Sequence, residues 1–508
     1  MSLARTWAVA LVGAHGELVE IEADLSNQTP DFRIIGLPDK ALAEAVQRVH
    51  NACANSDLEL PRRRITINLS PASLPKHGSA FDVGIAVAAL ATRMSMDAAS
   101  LARTVHVGEL GLDGRLRPVA GVLPAVLSAA RAGYTHAVVP HANLAEAALV
   151  DGIEVLGAVN LSEVAAWHGA SVEVRDDTPL ALSNPGSTDE PPPELADVIG
   201  QRDAVHALIT AAAGGHHLLM CGPPGAGKTM LARRLPGILP PLDDDAALAA
   251  ASLRSLSGAR VTALNRTPPF ESPHHSASVA ALVGGGSRIL RPGAIARASE
   301  GVLFLDEAGE FHSGALDALR QPLEQGSISI DRAGSRVVFP ARFQLVLATN
   351  PCPCGNYGVR GSSCTCPPMS IRRYLGRLSG PLRDRIDIEL AMARVSHTRS
   401  TPTSREITTA QARSMVAEAR ARARVRLAET PWQCNAHVSG AWLRDGPFAP
   451  DMQIRRPLDA ALHRGALTLR GFDRVLRVAW SIADLGGRDR LTSDDIGRAM
   501  YLKNGVAA

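Results

Sequence analysis

Apolar and polar positions alternate along Arg64-Ile65-Thr66-Ile67-Asn68-Leu69, a period of two that predicts a half-buried strand, and the apolar run His136-Ala137-Val138-Val139-Pro140 predicts another. Alanine-rich stretches at Val83 to Ala91 and Leu123 to Ala132 predict helices among these strands, an α+β or α/β pattern. Asp176 to Pro193 breaks it, because Asn184-Pro185-Gly186-Ser187-Thr188 and Pro191-Pro192-Pro193 solvate easily and resist regular structure. Beyond this break, apolar strands alternate with helical segments to about Ala393, as expected of a parallel sheet covered by helices. From Ser404 the strand signal disappears. Arg470 to Leu485 sets Phe472, Val475, Leu476, Ala479 and Ile482 on one helical stripe, and Thr492 with Asp495 forms a capping box before a last helix. The chain therefore divides into an α+β unit at 1–172, a linker at 173–194, an α/β unit at 195–395 and a helical unit at 396–508. No repeat of fixed period is present.

Composition changes this picture little. At 508 residues the chain exceeds what one hydrophobic core supports, and no segment approaches the roughly 18 consecutive apolar residues of a membrane span. Met1 to Ala10 lacks the build of a secretory signal, so the expected location is cytoplasmic. The net charge is +3 and the only lysines are Lys40, Lys76, Lys228 and Lys503. With alanine equally abundant, the arginine preference reads as genome bias and does not by itself indicate nucleic acid.

Chemistry enters at His217 to Cys221, a buried strand that runs into Gly222-Pro223-Pro224-Gly225-Ala226-Gly227-Lys228-Thr229 and then a helix expected from about Met230. This is the P-loop spacing in its strand-loop-helix setting. The glycines aim backbone N–H groups at phosphate oxygens, Lys228 reaches the β and γ phosphates of ATP, and Thr229 is a magnesium ligand. A second strand, Gly301 to Leu305, ends in Asp306-Glu307, where Asp306 is the candidate for magnesium and Glu307 for general base. A third, Phe343 to Ala348, ends in Thr349-Asn350, and Asn350 can orient the attacking water or sense the γ phosphate. Ser327 to Ile330 and Val337 to Phe339 flank a glycine-bearing turn and predict a hairpin that carries Arg332 and Arg336.

Of seven cysteines, Cys352, Cys354, Cys364 and Cys366 crowd into fifteen residues. Four thiolates can close a tetrahedral zinc site, and reduced free thiols are the alternative. Such a zinc would be structural, because no coordination position stays open.

Together these motifs resemble the magnesium-chelatase-like branch of the AAA+ proteins, and more closely the ComM (YifB) family. The matching text includes Gly200-Gln201, Ala211 to Leu219, Pro273-His274-His275, Arg291-Pro292-Gly293, Ala318 to Glu324, Asn350-Pro351-Cys352-Pro353-Cys354-Gly355 and Ser379 to Asp387, and runs almost end to end. The resemblance implies a homohexameric ATPase that drives branch migration and strand integration on single-stranded and branched DNA during natural transformation, with recombination proteins as further partners. It implies an AAA+ core at 195–395 and a helical lid at 396–508 similar to the magnesium-chelatase C-terminal region. Arg385 becomes the arginine finger given to a neighbouring subunit, and Arg470, with Arg474 as fallback, the lid arginine that senses nucleotide in cis. The hairpin becomes a pore element in which Arg332 and Arg336 grip DNA.

The first unit resembles the Lon-protease-like, ribosomal S5 domain 2-like fold, with Gly108 to Val119 matching its later strands and Ser79 near the serine motif. A serine-lysine dyad needs its lysine. This chain has Val122-Leu123 where that family places it, so proteolysis is not expected. Two other readings stand beside the DNA motor: a chelatase-type motor that remodels a protein partner, and an ATP-dependent Lon-like protease.

Overall fold

The computed structural model describes residues 3–36, 42, 44–74, 76–180, 192–286, 290–332, 335–359, 363–394 and 406–505. Residues 181–191 of the linker therefore lie outside the described residues, and 171–180 carries no regular element.

The first unit is a seven-stranded mixed sheet, ordered Asp31–Ile35, Arg64–Ser70, His15–Ser26, Leu3–Val12, Thr104–His106, His136–Pro140 and Glu154–Ala158. The alternation read at Arg64–Ser70 is borne out: Ile65, Ile67 and Leu69 are buried and their neighbours half-exposed. Helix Asp82–Ala91 is buried at nearly every position beneath this sheet, which is why its sequence is almost wholly apolar. Leu3–Val12 and His15–Ser26 form an antiparallel hairpin whose two-residue turn, Gly13-Ala14, puts Gly13 at φ 65. Leu11, Val12 and Ala14 at that turn pack on the core of the α/β unit, and Gly121 N–H donates to Ser255 O at 3.1 Å across the same junction.

The second unit is a five-stranded parallel sheet, ordered Phe270–Glu271, Val302–Leu305, Gln344–Thr349, Leu218–Cys221 and Ile388–Ala391. The three central strands are buried throughout, as the continuous apolar runs require of a sheet covered on both faces. The P-loop helix begins at Lys228, two residues before its expected start, because Gly227 at φ 85 completes the loop and releases the next residue into the helix. Ser327–Arg332 and Ser335–Pro340 form the expected hairpin, with Asp331 opposite Arg336.

The last unit is helical, as its sequence predicts. Helices Thr409–Arg426, Leu469–Leu485 and Ser493–Asn504 enclose a core with Arg202–Gly214, and Phe472, Val475, Leu476, Ala479 and Ile482 are all buried in it. The capping box of Thr492 and Asp495 is present. Arg426 lies over the buried Trp480 ring at 4.1 Å and donates to Asp484 at 2.7 Å, which adds a charged clamp to an apolar contact. Among the described residues no helix is long and apolar enough to cross a membrane.

Candidate active site

Parallel strands deliver their C-terminal ends to one side of a sheet, and polar residues just beyond those ends converge. Here the convergence is direct. Lys228 Nζ donates to Asn350 Oδ1 at 3.0 Å and to the carbonyls of Gly222 and Pro223 at 2.6 and 3.1 Å. Thr229 Oγ1 donates to Asp306 Oδ2 at 2.6 Å. Burial pushes the Lys228 ammonium below its ordinary pKa, against the opposing pull of the Cys221, Asp306 and Glu307 charges. Glu307 adopts a left-handed backbone, φ 51 and ψ 43, and its carboxylate lies 3.1 Å from His275 Nδ1.

These residues fit a magnesium nucleotide. A hydroxyl and a carboxylate side by side are an oxygen set suited to magnesium, and a buried amine held by neutral oxygens would gain by meeting a phosphate. Gly225 and Gly227 at φ 77 and 85 provide the turn, and Gly222 is required by packing, since a Cβ there would stand 2.4 Å from Met392 O.

Arg385 is not part of this convergence. It precedes strand Ile388–Ala391, beside His217, whose carbonyl accepts from Asp387 N at 3.2 Å. This is the entrance end of the sheet, and four strand residues, about 13 Å, separate it from the P-loop end. Arg385 pairs with Glu324 and donates to Pro381 O. Burial first, then the like charges of Arg320, Arg474 and Arg470, lower its pKa.

Arg470 is exposed on the first turn of its helix and belongs to this same cationic group, while the groups that meet Lys228 are Gly222, Pro223 and Asn350. Arg474, the fallback, donates to Asp387 at 2.7 Å and ties the last helical unit to the sheet. Burial alone would raise the Asp387 carboxyl, but the His216 hydrogen bond and the Arg474 charge outweigh it and hold the group well below the usual carboxylate range.

The four clustered cysteines come together. Sγ separations are 3.4 Å for Cys352–Cys354, 3.7 Å for Cys352–Cys364 and 3.6 Å for Cys354–Cys364, and all four sulfurs lie within 4.8 Å of one another. A zinc tetrahedron with bonds of about 2.3 Å has edges of about 3.8 Å, so the set fits a structural zinc. Backbone N–H groups, Asn356 foremost, draw the Cys354 thiol down to about 6. The loop touches the nucleotide site: a Cβ on Gly355, at φ 79, would come 2.4 Å from Pro224 Cδ.

Arg336 is exposed, 3.7 Å from Asp331 and bonded to Ser329 Oγ at 3.1 Å. Arg332 closes the first hairpin strand, and the turn residues 333–334 lie outside the described residues. In the first unit Ser79 donates to Glu109, and Lys76 Nζ is taken by the carbonyls of Gly36 and Pro71, so the serine and the lysine have separate partners.

Family profiles match most of the chain: "Magnesium chelatase, subunit ChlI" at residues 194–400, "Subunit ChlI of Mg-chelatase" at 21–143 and "Magnesium chelatase, subunit ChlI C-terminal" at 406–503. The competence protein ComM of Haemophilus influenzae is 40% identical over 508 residues, covering 98% of this chain and 97% of its own. The chain belongs to the ComM/YifB family of magnesium-chelatase-like AAA+ proteins.

Within this family, YifB of Escherichia coli is 38% identical over 503 residues, with 98% and 97% covered, and an uncharacterised protein of Mycobacterium tuberculosis is 47% identical over 507, with 99% of each covered. Lon protease 2 of Bacillus subtilis is 30% identical over 161 residues, 30% of this chain and 29% of that one, in keeping with the Lon-like fold of the first unit. Family membership carries the expectation of ATP and magnesium onto Lys228, Thr229 and Asp306. The meeting of His275 with Glu307 joins two loops that no local spacing connects.

Proposed function

We infer that this chain is an ATP- and magnesium-dependent DNA motor that works as a homohexameric ring and promotes branch migration and strand integration during natural transformation, in the cytoplasm. The observation that carries the reading is the placement of Arg385 at the opposite end of the sheet from Lys228. One chain is proposed to hold the phosphate cradle, the magnesium oxygens and the base, while its own Arg385 lies at the other end of the sheet, bound to Glu324 and Pro381 O. A second copy that presents Arg385 to this nucleotide would complete the site, so hydrolysis would depend on assembly. Arg470, with Arg474 as fallback, is proposed as the arginine of the helical unit that senses nucleotide.

Arg332 and Arg336, on the hairpin, are the residues proposed to hold DNA phosphates, and the four cysteines to hold one structural zinc. End-to-end similarity to a competence protein supports DNA as the cargo over a protein partner, and the separate engagements of Ser79 and Lys76 speak against proteolysis. Recombination proteins are proposed as partners at the junction.

The test is a three-strand or four-way junction incubated with purified protein, ATP and magnesium. Recombined product is expected, with none from Lys228→Ala, and Arg332→Ala/Arg336→Ala should weaken DNA binding and flatten its salt dependence. Wild-type protein that neither binds DNA nor is stimulated by it defeats the reading.

A further inference from the structure

A two-stranded ribbon is marginal in water by itself, so the stance of Ser327–Arg332 and Ser335–Pro340 is set by what the pair rests on. On its inner face Ile328, Val337 and Phe339 are buried in the apolar core of the α/β unit. Leu11, Val12 and Ala14, around the hairpin turn of the first unit, pack on that same core. Gly13 lies among them with its backbone against the ribbon: a Cβ there would stand 2.6 Å from Val338 O and 3.0 Å from Val337 Cγ1. Two residues back along the strand, about 7 Å away and on the same face as Val338, is Arg336.

The turn is itself held. Gly16 N–H donates to Ser128 Oγ at 2.9 Å, which ties the strand after the turn to helix Val122–Arg131. That helix shares an apolar cluster with Ala251 and Val261 of the α/β unit, and a Cβ on Gly121, just before it, would come 3.1 Å from Leu256 Cδ2. The first unit therefore meets the α/β unit at two separate places, and one of them is the flank of the ribbon. Two such contacts remove the rocking that a single one permits.

We propose that the Gly13-Ala14 turn is a positioning element for DNA binding, a fixed stop that sets the stance of the strand carrying Arg336. This rests on the reading of Arg336 as a DNA contact. A side chain that must be ordered on binding gives up part of its contact energy, and a braced strand has that ordering already in place. Glycine is required at position 13 on two counts, the left-handed φ of 65 and the lack of room for a Cβ. Asparagine satisfies the first and violates the second.

The experiment uses the full-length chain and a fluorescent single-stranded DNA titrated at several salt concentrations. Gly13→Asn keeps the turn but presses a side chain on Val338; it should raise Kd for DNA about tenfold and lower the salt slope by about one phosphate contact. ATP hydrolysis without DNA, KM for ATP and ring assembly should stay as in wild type. Gly152→Asn is the control: a left-handed glycine of the same unit, φ 81, with no atom within 4 Å of its Cβ position, it should bind DNA as wild type does. Val12→Ala removes methyl groups from the same seat, should raise Kd about threefold, and decides the question if Gly13→Asn does not fold. Wild-type affinity in the deciding variant, or an equal loss in Gly152→Asn, overturns the stop. Arg336→Ala keeps the two ideas apart: if it binds DNA unchanged, the DNA-contact reading itself fails, and if it is weakened while Gly13→Asn is not, the positioning role alone is lost.

Discussion

Thr229 donates its hydroxyl proton to Asp306 across 2.6 Å although 77 residues separate them. The contact joins the end of the P-loop to the end of the acidic strand, the two places proposed to supply magnesium oxygens. Thr229→Val or Asp306→Asn should cost about 3 kcal/mol of transition-state stabilisation, about a hundredfold in turnover. Rates measured across a magnesium titration check this, and a variant with wild-type turnover at limiting magnesium counts against the assignment.

Arg385 gives a different signature. Arg385→Ala should bind nucleotide normally yet lose about a thousandfold in hydrolysis. Mixing it with Lys228→Ala should restore part of the activity, since each mutant supplies what the other lacks. A full rate from Arg385→Ala as an isolated monomer removes the case for a shared site.

The cysteine cluster predicts about one zinc per chain by elemental analysis. Cys364→Ser/Cys366→Ser should release it and lower the melting temperature. Because Gly355 packs on Pro224, the same variant should raise KM for ATP. Metal-free protein with unaltered stability and KM would show the thiols to be mere neighbours.

Acid should loosen the first unit before the carboxylates titrate. His106 and His168 share a 2.9 Å contact inside a chain that runs from Thr6 Oγ1 through both rings to Ser100 Oγ. Burial, chiefly, lowers them from 6.5 to about 3 and about 4. A lowered folded-state pKa means that the unfolded chain binds the proton first. The stability is therefore complete above pH 6.5 and drains away towards pH 4, by about 1.4 kcal/mol per pH unit for each imidazole. Melting curves at pH 7.5, 6 and 5 should show this slope flatten in His106→Asn/His168→Asn; an unchanged slope places the acid response elsewhere.

The sequence by itself determined the elements and the chemistry carried on contiguous segments. The strand at Arg64–Ser70, the stripe on Leu469–Leu485, the capping box at Thr492 and the P-loop are all local, because a period of two or 3.6 residues and a glycine-rich turn are written in neighbouring positions. Three strands leading into the P-loop of Lys228, into Asp306-Glu307 and into Asn350 implied a shared site, since parallel strands end on one side of their sheet.

What the tertiary structure decided is which distant side chains meet. The approach of His275 to Glu307 depends on Phe270–Glu271 lying beside Val302–Leu303, a strand order that no spacing records. The pairing of Arg474 with Asp387, and the company Arg470 keeps with Arg385 in place of Lys228, depend on where the last helical unit docks. Ser79 and Lys76 are near in sequence, yet backbone carbonyls claim the amine and Glu109 the hydroxyl. Periodicity sets which face of an element is buried. The packing of one element on another sets which charges converge, because that free energy is spread over many non-local contacts.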